Sequence, residues 1–242
     1  MTSRPEAYAI IPARGGSKSI PKKNMVPFGG APLIERVIKI AKQSPLIERV
    51  ICTTDSEEIG AHCESHGIEY HRRPNNLATD SANVADAVKQ VLEQLAEENS
   101  VPEFVALLQP TSPFIREVDI NNCLKAIRKS SAANSVQTVS QIAHNFHAYN
   151  QREIVEGRAF FKFKKEREKF FNKQKKPIFY KFANLVVTRS ARILEGEGFF
   201  VEPSLAVEIP EIYSFDLDKA EDLRWGEYCL AAGLVNLDEP NP

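Results

Sequence analysis

The chain has 242 residues, 43% of them hydrophobic, and carries 31 basic against 32 acidic side chains. That length supports one large core without a second full domain, and the near-neutral balance argues against a general nucleic-acid or membrane-surface binder. No apolar stretch reaches the roughly 20 residues of a membrane span, and the N-terminal MTSRPEAYAII lacks the long apolar core of a signal peptide.

Short apolar runs alternate with amphipathic stretches, the signature of an α/β domain with a mostly parallel central sheet flanked by helices. Residues 8–11 read as a buried strand that empties into the loop IPARGGSKSIPKKN. Residues 32–44 have helical periodicity, with Leu33, Ile34, Val37, Ile38 and Ala41 on one face. A second strand is expected at 48–55, then a helix at 56–66 stopped by Gly67. A short strand at 68–71, a helix at 81–98 and a buried strand at 104–108 follow. Residues 119–129 read as a helix and 135–139 as a strand. The rhythm then changes: residues 141–176 are rich in Phe, Lys, Asn and His, and 160–176 alternate aromatic with basic residues. That segment reads either as a flap facing substrate or another subunit, or as a solvated amphipathic helix or hairpin. Strand character returns at 179–188, and a final amphipathic helix is expected at 219–232. Cys52, Cys63, Cys123 and Cys229 show no CxxC spacing, so reduced structural thiols in a cytoplasmic protein are expected.

Ligands of open α/β sheets bind beyond the carboxyl ends of the strands, and four polar segments occupy such positions. The first loop carries Arg14, Lys18, Lys22 and Lys23 beside Gly15, Gly16 and Ser17. Glycines let backbone N–H groups approach phosphate oxygens, and the cations neutralise what the amides cannot, so the loop reads as a polyphosphate seat, the alternative being a basic surface loop after an edge strand. It is not a Walker A loop, since GxxxxGK[ST] is absent. The second segment is RRPNNLATDSA (72–82), where helix capping by Asp80 or Ser81 is the favoured local reading and the functional alternative gives Arg73 and nearby backbone groups to a base or ribose. The third is LLQPTSPF (107–114), whose two prolines hold Gln109, Thr111 and Ser112 in a rigid turn that reads either as suited to sugar hydroxyls or as a simple tight turn. The fourth is FDLD (215–218). Residues two apart in an extended segment point the same way, so Asp216 and Asp218 pair two carboxylates that suit magnesium, unless Asp218 simply caps the helix. A cation-rich loop and a carboxylate pair together describe metal-assisted nucleotidyl transfer from a triphosphate.

Taken together, IPARGGSKSIPKKN, RRPNNLATDSA, LLQPTSPF and FDLDKAEDL resemble the acylneuraminate cytidylyltransferase family, the CMP-sialic acid synthetases and their relatives acting on Kdo, legionaminic and pseudaminic acids. The resemblance runs in family order across most of the chain. It implies a nucleotide-diphospho-sugar transferase-like (Rossmann-like) fold in one domain over 1–242, with about 141–200 as a dimerisation and sugar-facing insertion. It also implies a homodimer, Mg²⁺, and the reaction of CTP with a 2-keto sugar acid to give a CMP-sugar and pyrophosphate. Carried across residue by residue, Arg14, Gly15, Ser17, Lys18 and Lys23 would hold the triphosphate. Asn24, Arg73 and Ser81 would contact the nucleotide. Gln109, Thr111, Ser112 and Lys181 would face the sugar acid, and Phe199 and Phe200 match an aromatic pair that reaches into the neighbouring subunit's sugar pocket. Asp216 and Asp218 would hold the metal, with Arg14 and Lys23 offsetting charge at the phosphates. Asp218, or a hydroxide on the metal, would take the proton of the attacking hydroxyl.

Two departures stand out. Where the sialic acid enzymes carry a motif like RxNGAIY, this chain reads KFANLVV (181–187), so the arginine is Lys181 and the tyrosine position holds Val187. Lys219 replaces the small hydroxyl residue that usually follows the aspartate pair. The sugar is therefore open: a sialic-acid-like nonulosonic acid, Kdo or another sugar, with a non-catalytic nucleotide-sugar-binding subunit as the alternative from another class.

Overall fold

The computed structural model describes residues 5–237, so the first four residues of the N-terminal segment and the last five of the chain lie outside it. In chain order the elements are β1 (Ala7–Pro12), the small hairpin β2 (Pro27–Phe28) and β3 (Ala31–Pro32), α1 (Leu33–Gln43), β4 (Arg49–Thr54), α2 (Glu57–Ser65) and β5 (Glu69–Arg72). Then come α3 (Val84–Glu97), β6 (Phe104–Leu107), α4 (Glu117–Arg128) and β7 (Ser135–Gln141). A second hairpin, β8 (Arg152–Val155) and β9 (Arg158–Phe161), leads to α5 (Lys164–Lys169), β10 (Tyr180–Arg189), α6 (Ser190–Leu194), β11 (Ser204–Glu208) and α7 (Ala220–Ala231).

Seven strands form one sheet in the order β11-β7-β10-β6-β1-β4-β5. Only β10 runs against its neighbours, antiparallel to both β6 and β7, and the remaining pairs are parallel. The central position of β1, with Ile10 opposite both Ile51 and Leu107, follows from its unbroken apolar run. Its alternate residues serve two cores. Ala7, Ala9 and Ile11 pack with apolar residues of α1, α2 and α4 on one face, while Tyr8 and Ile10 pack with Val88, Leu92 and Ile193 on the other. A third cluster gathers Phe28, Phe114, Leu217 and Cys229 beneath α7. It seats the aspartate segment, because Leu217 is fully buried between two exposed acids.

Ser56 caps α2 by accepting from the Ile59 N–H, and Gly67, at φ +65°, ends it as expected. Two expected caps are corrected. Asn83, not Asp80 or Ser81, caps α3, its Oδ1 accepting from Ala85 N–H at 3.0 Å. Asp218 does not cap α7; Asp222 Oδ2 accepts the N–H groups of Asp218 (2.9 Å) and Lys219 (2.7 Å) from inside the helix. The basic aromatic segment forms the β8–β9 hairpin and α5, anchored by a small ring cluster in which His147 stacks on Phe179 at 4.6 Å and Tyr149 on Phe170 at 5.8 Å. The elements β2, β3, α6 and β11 were not expected from the sequence.

Candidate active site

At the carboxyl ends of β1 and β6 lies a cavity of about 380 Å³, lined by Arg14, Ser17, Lys18, Lys23, Asn24, Arg73, Gln109, Thr111 and Asp218 among others. Its first wall is the loop after β1. Gly15 donates its N–H to Asp55 Oδ1 at 2.8 Å, and a Cβ there would stand 2.9 Å from Ser56 Cβ. The loop can lie against the start of α2 only because this residue is glycine. The Gly15 amide is thereby occupied by protein, and Gly16 is the glycine that lines the cavity. Asn24 Nδ2 closes the loop by donating to the Arg14 carbonyl at 2.8 Å.

Lys23 joins this loop to a segment almost two hundred residues away. Its Nζ donates to the Leu217 carbonyl at 3.0 Å and to Asp218 Oδ1 at 3.2 Å, with the side chain only 13% exposed. Leu217 in turn donates its N–H to the Thr111 carbonyl at 2.7 Å. Loop, proline turn and aspartate segment therefore form one hydrogen-bonded unit. Asp216 keeps a solvent-accessible carboxylate, yet the protein packed around it pushes that carboxyl above the usual range. A hydrogen bond with Thr111 opposes that rise, the nearby Asp218 charge adds to it, and Lys23 opposes it again. Two neighbouring carboxylates are an oxygen donor set of the kind hard divalent cations take.

Asp80 has a role that its sequence context hides. Its Oδ1 accepts from Arg14 Nη1 at 2.6 Å and its Oδ2 pairs with Lys18 Nζ at 2.7 Å. Lys18 first, and then Arg14, hold this carboxyl below its usual range. The cations suited to a polyphosphate thus already carry a carboxylate. Arg73 is 5% exposed, and its Nη2 donates to the Thr53 carbonyl at 2.7 Å, which fixes its guanidinium at the cavity wall. Asp55 and Asp80 are the residues that sequence reading missed; both sit in stretches that look like helix caps, and their partners are distant in sequence.

Other expected residues lie apart from this cavity. Ser112 is 4% exposed, its N–H bonded to the Gln109 carbonyl, so it shapes the turn rather than lining the space. Ser81 is exposed beside Thr79. Phe199 is buried in the second core, where Thr188 Oγ1 donates to its carbonyl at 2.6 Å, so its ring is not free to reach a neighbour. Phe200 is exposed and meets Phe182 edge-on at 5.0 Å, with Lys181 next to it in β10. In the departing KFANLVV stretch, Asn184 is buried, donating to the Tyr213 carbonyl at 2.7 Å and accepting from Thr138 Oγ1 at 2.9 Å. A larger cavity of about 570 Å³ lies along the same sheet edge beyond β7 and β11, lined by His144, Lys176, Phe179 and Glu211 among others. It contains none of the expected nucleotide-site residues; convergent chemistry, not size, singles out the smaller one.

Known proteins share this fold and sequence pattern. The family model for cytidylyltransferases matches residues 8–228. The CMP-N,N'-diacetyllegionaminic acid synthase of Legionella pneumophila is 30% identical over 237 residues, covering 96% of this chain and 97% of that protein. The N-acylneuraminate cytidylyltransferase of Escherichia coli is 34% identical over 172 residues, covering 63% of this chain, and the aligned part spans only 40% of that longer protein. Among solved structures, CMP:2-keto-3-deoxy-manno-octonic acid synthetase complexed with CTP superposes with a TM-score of 0.69 over 94% of this chain and 99% of that one, at 17% identity, a likeness of fold. The match over nearly its whole length shows that the chain belongs to the cytidylyltransferase family.

Proposed function

We propose that the chain transfers CMP from CTP to the anomeric hydroxyl of a 2-keto sugar acid of the nonulosonic class, releasing pyrophosphate. The observation that carries this reading is the bridge from Lys23 to Leu217 and Asp218, which brings the cationic loop and Asp218 to one cavity, with Asp216 beside it in the same segment but outside the lining. The names of the Legionella and Escherichia relatives support the acceptor class.

In this reading Arg14, Ser17 and Lys18 hold the triphosphate, and Arg73 and Asn24 border the nucleoside. Gln109 and Thr111 orient the sugar acid. Asp216 and Asp218 would hold magnesium, which supplies positive charge at the phosphates. The anomeric oxygen attacks the α-phosphorus in line, the bond to the bridging oxygen of the β-phosphate breaks, and pyrophosphate departs with those electrons. We assign Asp218 to receive the hydroxyl proton. Lys23 offsets the charge that builds on the transferring group, and its two hydrogen bonds fix it before reaction, so little reorganisation is left for the transition state. A cytoplasmic setting suits the four buried, unpaired cysteines, and no helix among the described residues is long and apolar enough to cross a membrane.

Thermal-shift measurements with Mg²⁺ test the nucleotide. CTP is expected to raise the melting temperature more than ATP, GTP or UTP, and Lys18→Ala is expected to remove most of that rise. Equal shifts for all four nucleotides would contradict the assignment.

A further inference from the structure

Away from this cavity, three side chains on two helices bring nitrogen and oxygen ligand atoms together. Glu35 stands in the first turn of α1, while His62 lies in the last turn of α2 and His66 at its C-cap. The two histidines are four residues apart and share one helix face. Glu35 Oε2 is 3.4 Å from His66 Nε2 and 3.7 Å from His62 Nε2, and one ligand atom from each residue lies within 4.8 Å of the others. In a tetrahedral zinc site with bonds of about 2.0–2.2 Å, neighbouring ligand atoms stand about 3.3–3.5 Å apart. The carboxylate edges of this triangle are already near that spacing.

The surroundings orient the ligands for the task. His66 Nδ1 lies 2.9 Å from the His62 carbonyl, which can only accept, so Nδ1 donates there and Nε2 is the ring nitrogen that faces Glu35. Lys42 Nζ donates to the His66 carbonyl at 2.8 Å and fixes the end of the helix. His62 Nε2 is buried and has no hydrogen-bond partner, an arrangement that asks for an occupant. His66 and Glu35 each keep a third of their side chain exposed, which leaves an approach from solvent and a fourth coordination position.

We propose that Glu35, His62 and His66 form a divalent transition-metal site of the zinc type that pins α1 to α2. Its two imidazoles separate it in ligand class from Asp216 and Asp218, whose all-oxygen set suits a hard cation instead. The site stands apart from the cavity, whose lining includes none of its three ligands.

Titration of the metal-free protein with Zn²⁺ alone, in a non-chelating buffer with the thiols kept reduced, tests this. One ion per chain and a raised melting temperature are expected, and Co²⁺ in its place should give the visible d–d bands of a tetrahedral N/O site. Glu35→Gln and His66→Gln should each weaken uptake by about tenfold or more, while Asp216→Asn leaves it unchanged. Both ligand variants change partly exposed side chains, so their folding is checked by far-UV circular dichroism in the same samples. Absence of Zn²⁺ uptake by the wild-type chain would reduce the cluster to a His–Glu ion-pair network and overturn the proposal. Uptake undiminished in both ligand variants would place the ion elsewhere and overturn it equally.

Discussion

At the scale of single residues, Lys23 separates catalysis from stability. Its ion pair with Asp218, whose side chain is 67% exposed, is worth about 0–1 kcal/mol at most. One positioned donor at a transferring group is typically worth about 10²–10³ in rate. Lys23→Ala is therefore expected to lower turnover by about that factor while moving the melting temperature little, measured by steady-state kinetics beside a thermal melt. Asp80 supplies a second expectation. A group whose folded-state pKa is depressed keeps its pairing above that value and loses it only as pH falls through it, so Asp80 is paired with Arg14 and Lys18 at neutral pH. Incoming phosphates must displace that carboxylate. Asp80→Asn should lower the KM for CTP at pH 7; a raised KM would mean that Asp80 positions Arg14 rather than competing with substrate. Lys23 was legible in the sequence, because cations clustered after a buried strand have few other uses. The competing role of Asp80 was not, since TDSA ahead of a helix reads as a cap and Arg14 is 66 residues away.

At the scale of elements, the proline turn after β6 is locked by a buried charge pair. Arg116 donates from Nε to Asp119 Oδ2 at 2.9 Å and from Nη2 to Oδ1 at 2.8 Å, and its guanidinium lies 3.9 Å from the centre of the Tyr213 ring. Tyr213 leads into the aspartate segment, so Arg116 connects the two walls of the cavity. Burial pushes the Asp119 carboxyl up while the Arg116 bonds pull it back. Arg116→Ala would strand that carboxylate and is expected to cost about 3–5 kcal/mol in denaturant unfolding. The double change Arg116→Met with Asp119→Leu should recover most of the loss, because a packed apolar pair avoids the desolvation that an ion pair must offset. A double variant as unstable as the single one would show that the contact with Tyr213 dominates. The helices were legible from their apolar spacing, α1 and α4 within two residues at either end. The edge strand β11 was not, since none of its five residues is buried and the strand gains a partner only through the fold. The antiparallel setting of β10 was hidden for the same reason: its neighbours are chosen by long-range packing rather than by its own pattern.

At the scale of the whole molecule, charge is unevenly placed. Between 152 and 176, ten Arg and Lys residues face only Glu153, Glu156, Glu166 and Glu168, so the rest of this nearly neutral chain is net acidic. The same lobe exposes Ile154, Val155, Phe160 and Phe171. The homodimer that the family resemblance implies would, if formed through this lobe, set it against the acidic remainder of a second copy. Light scattering after gel filtration should then give twice the monomer mass for the wild type and a monomer when Lys164, Lys165 and Lys169 are changed to Glu; a monomeric wild type would contradict it. Strand order and the meeting of three distant segments at one cavity bear out the sequence reading of the α/β fold. The sugar stayed illegible because Asn184, in the stretch that departs from the family pattern, is buried in structural hydrogen bonds and identifies no ligand. The most direct measurement is pyrophosphate release, with product mass, from CTP and Mg²⁺ across a panel of nonulosonic acids and Kdo. The account predicts a CMP-sugar with at least one nonulosonic acid and a deep loss in Lys23→Ala; no CMP-sugar from any acid, or undiminished turnover in that variant, would contradict it.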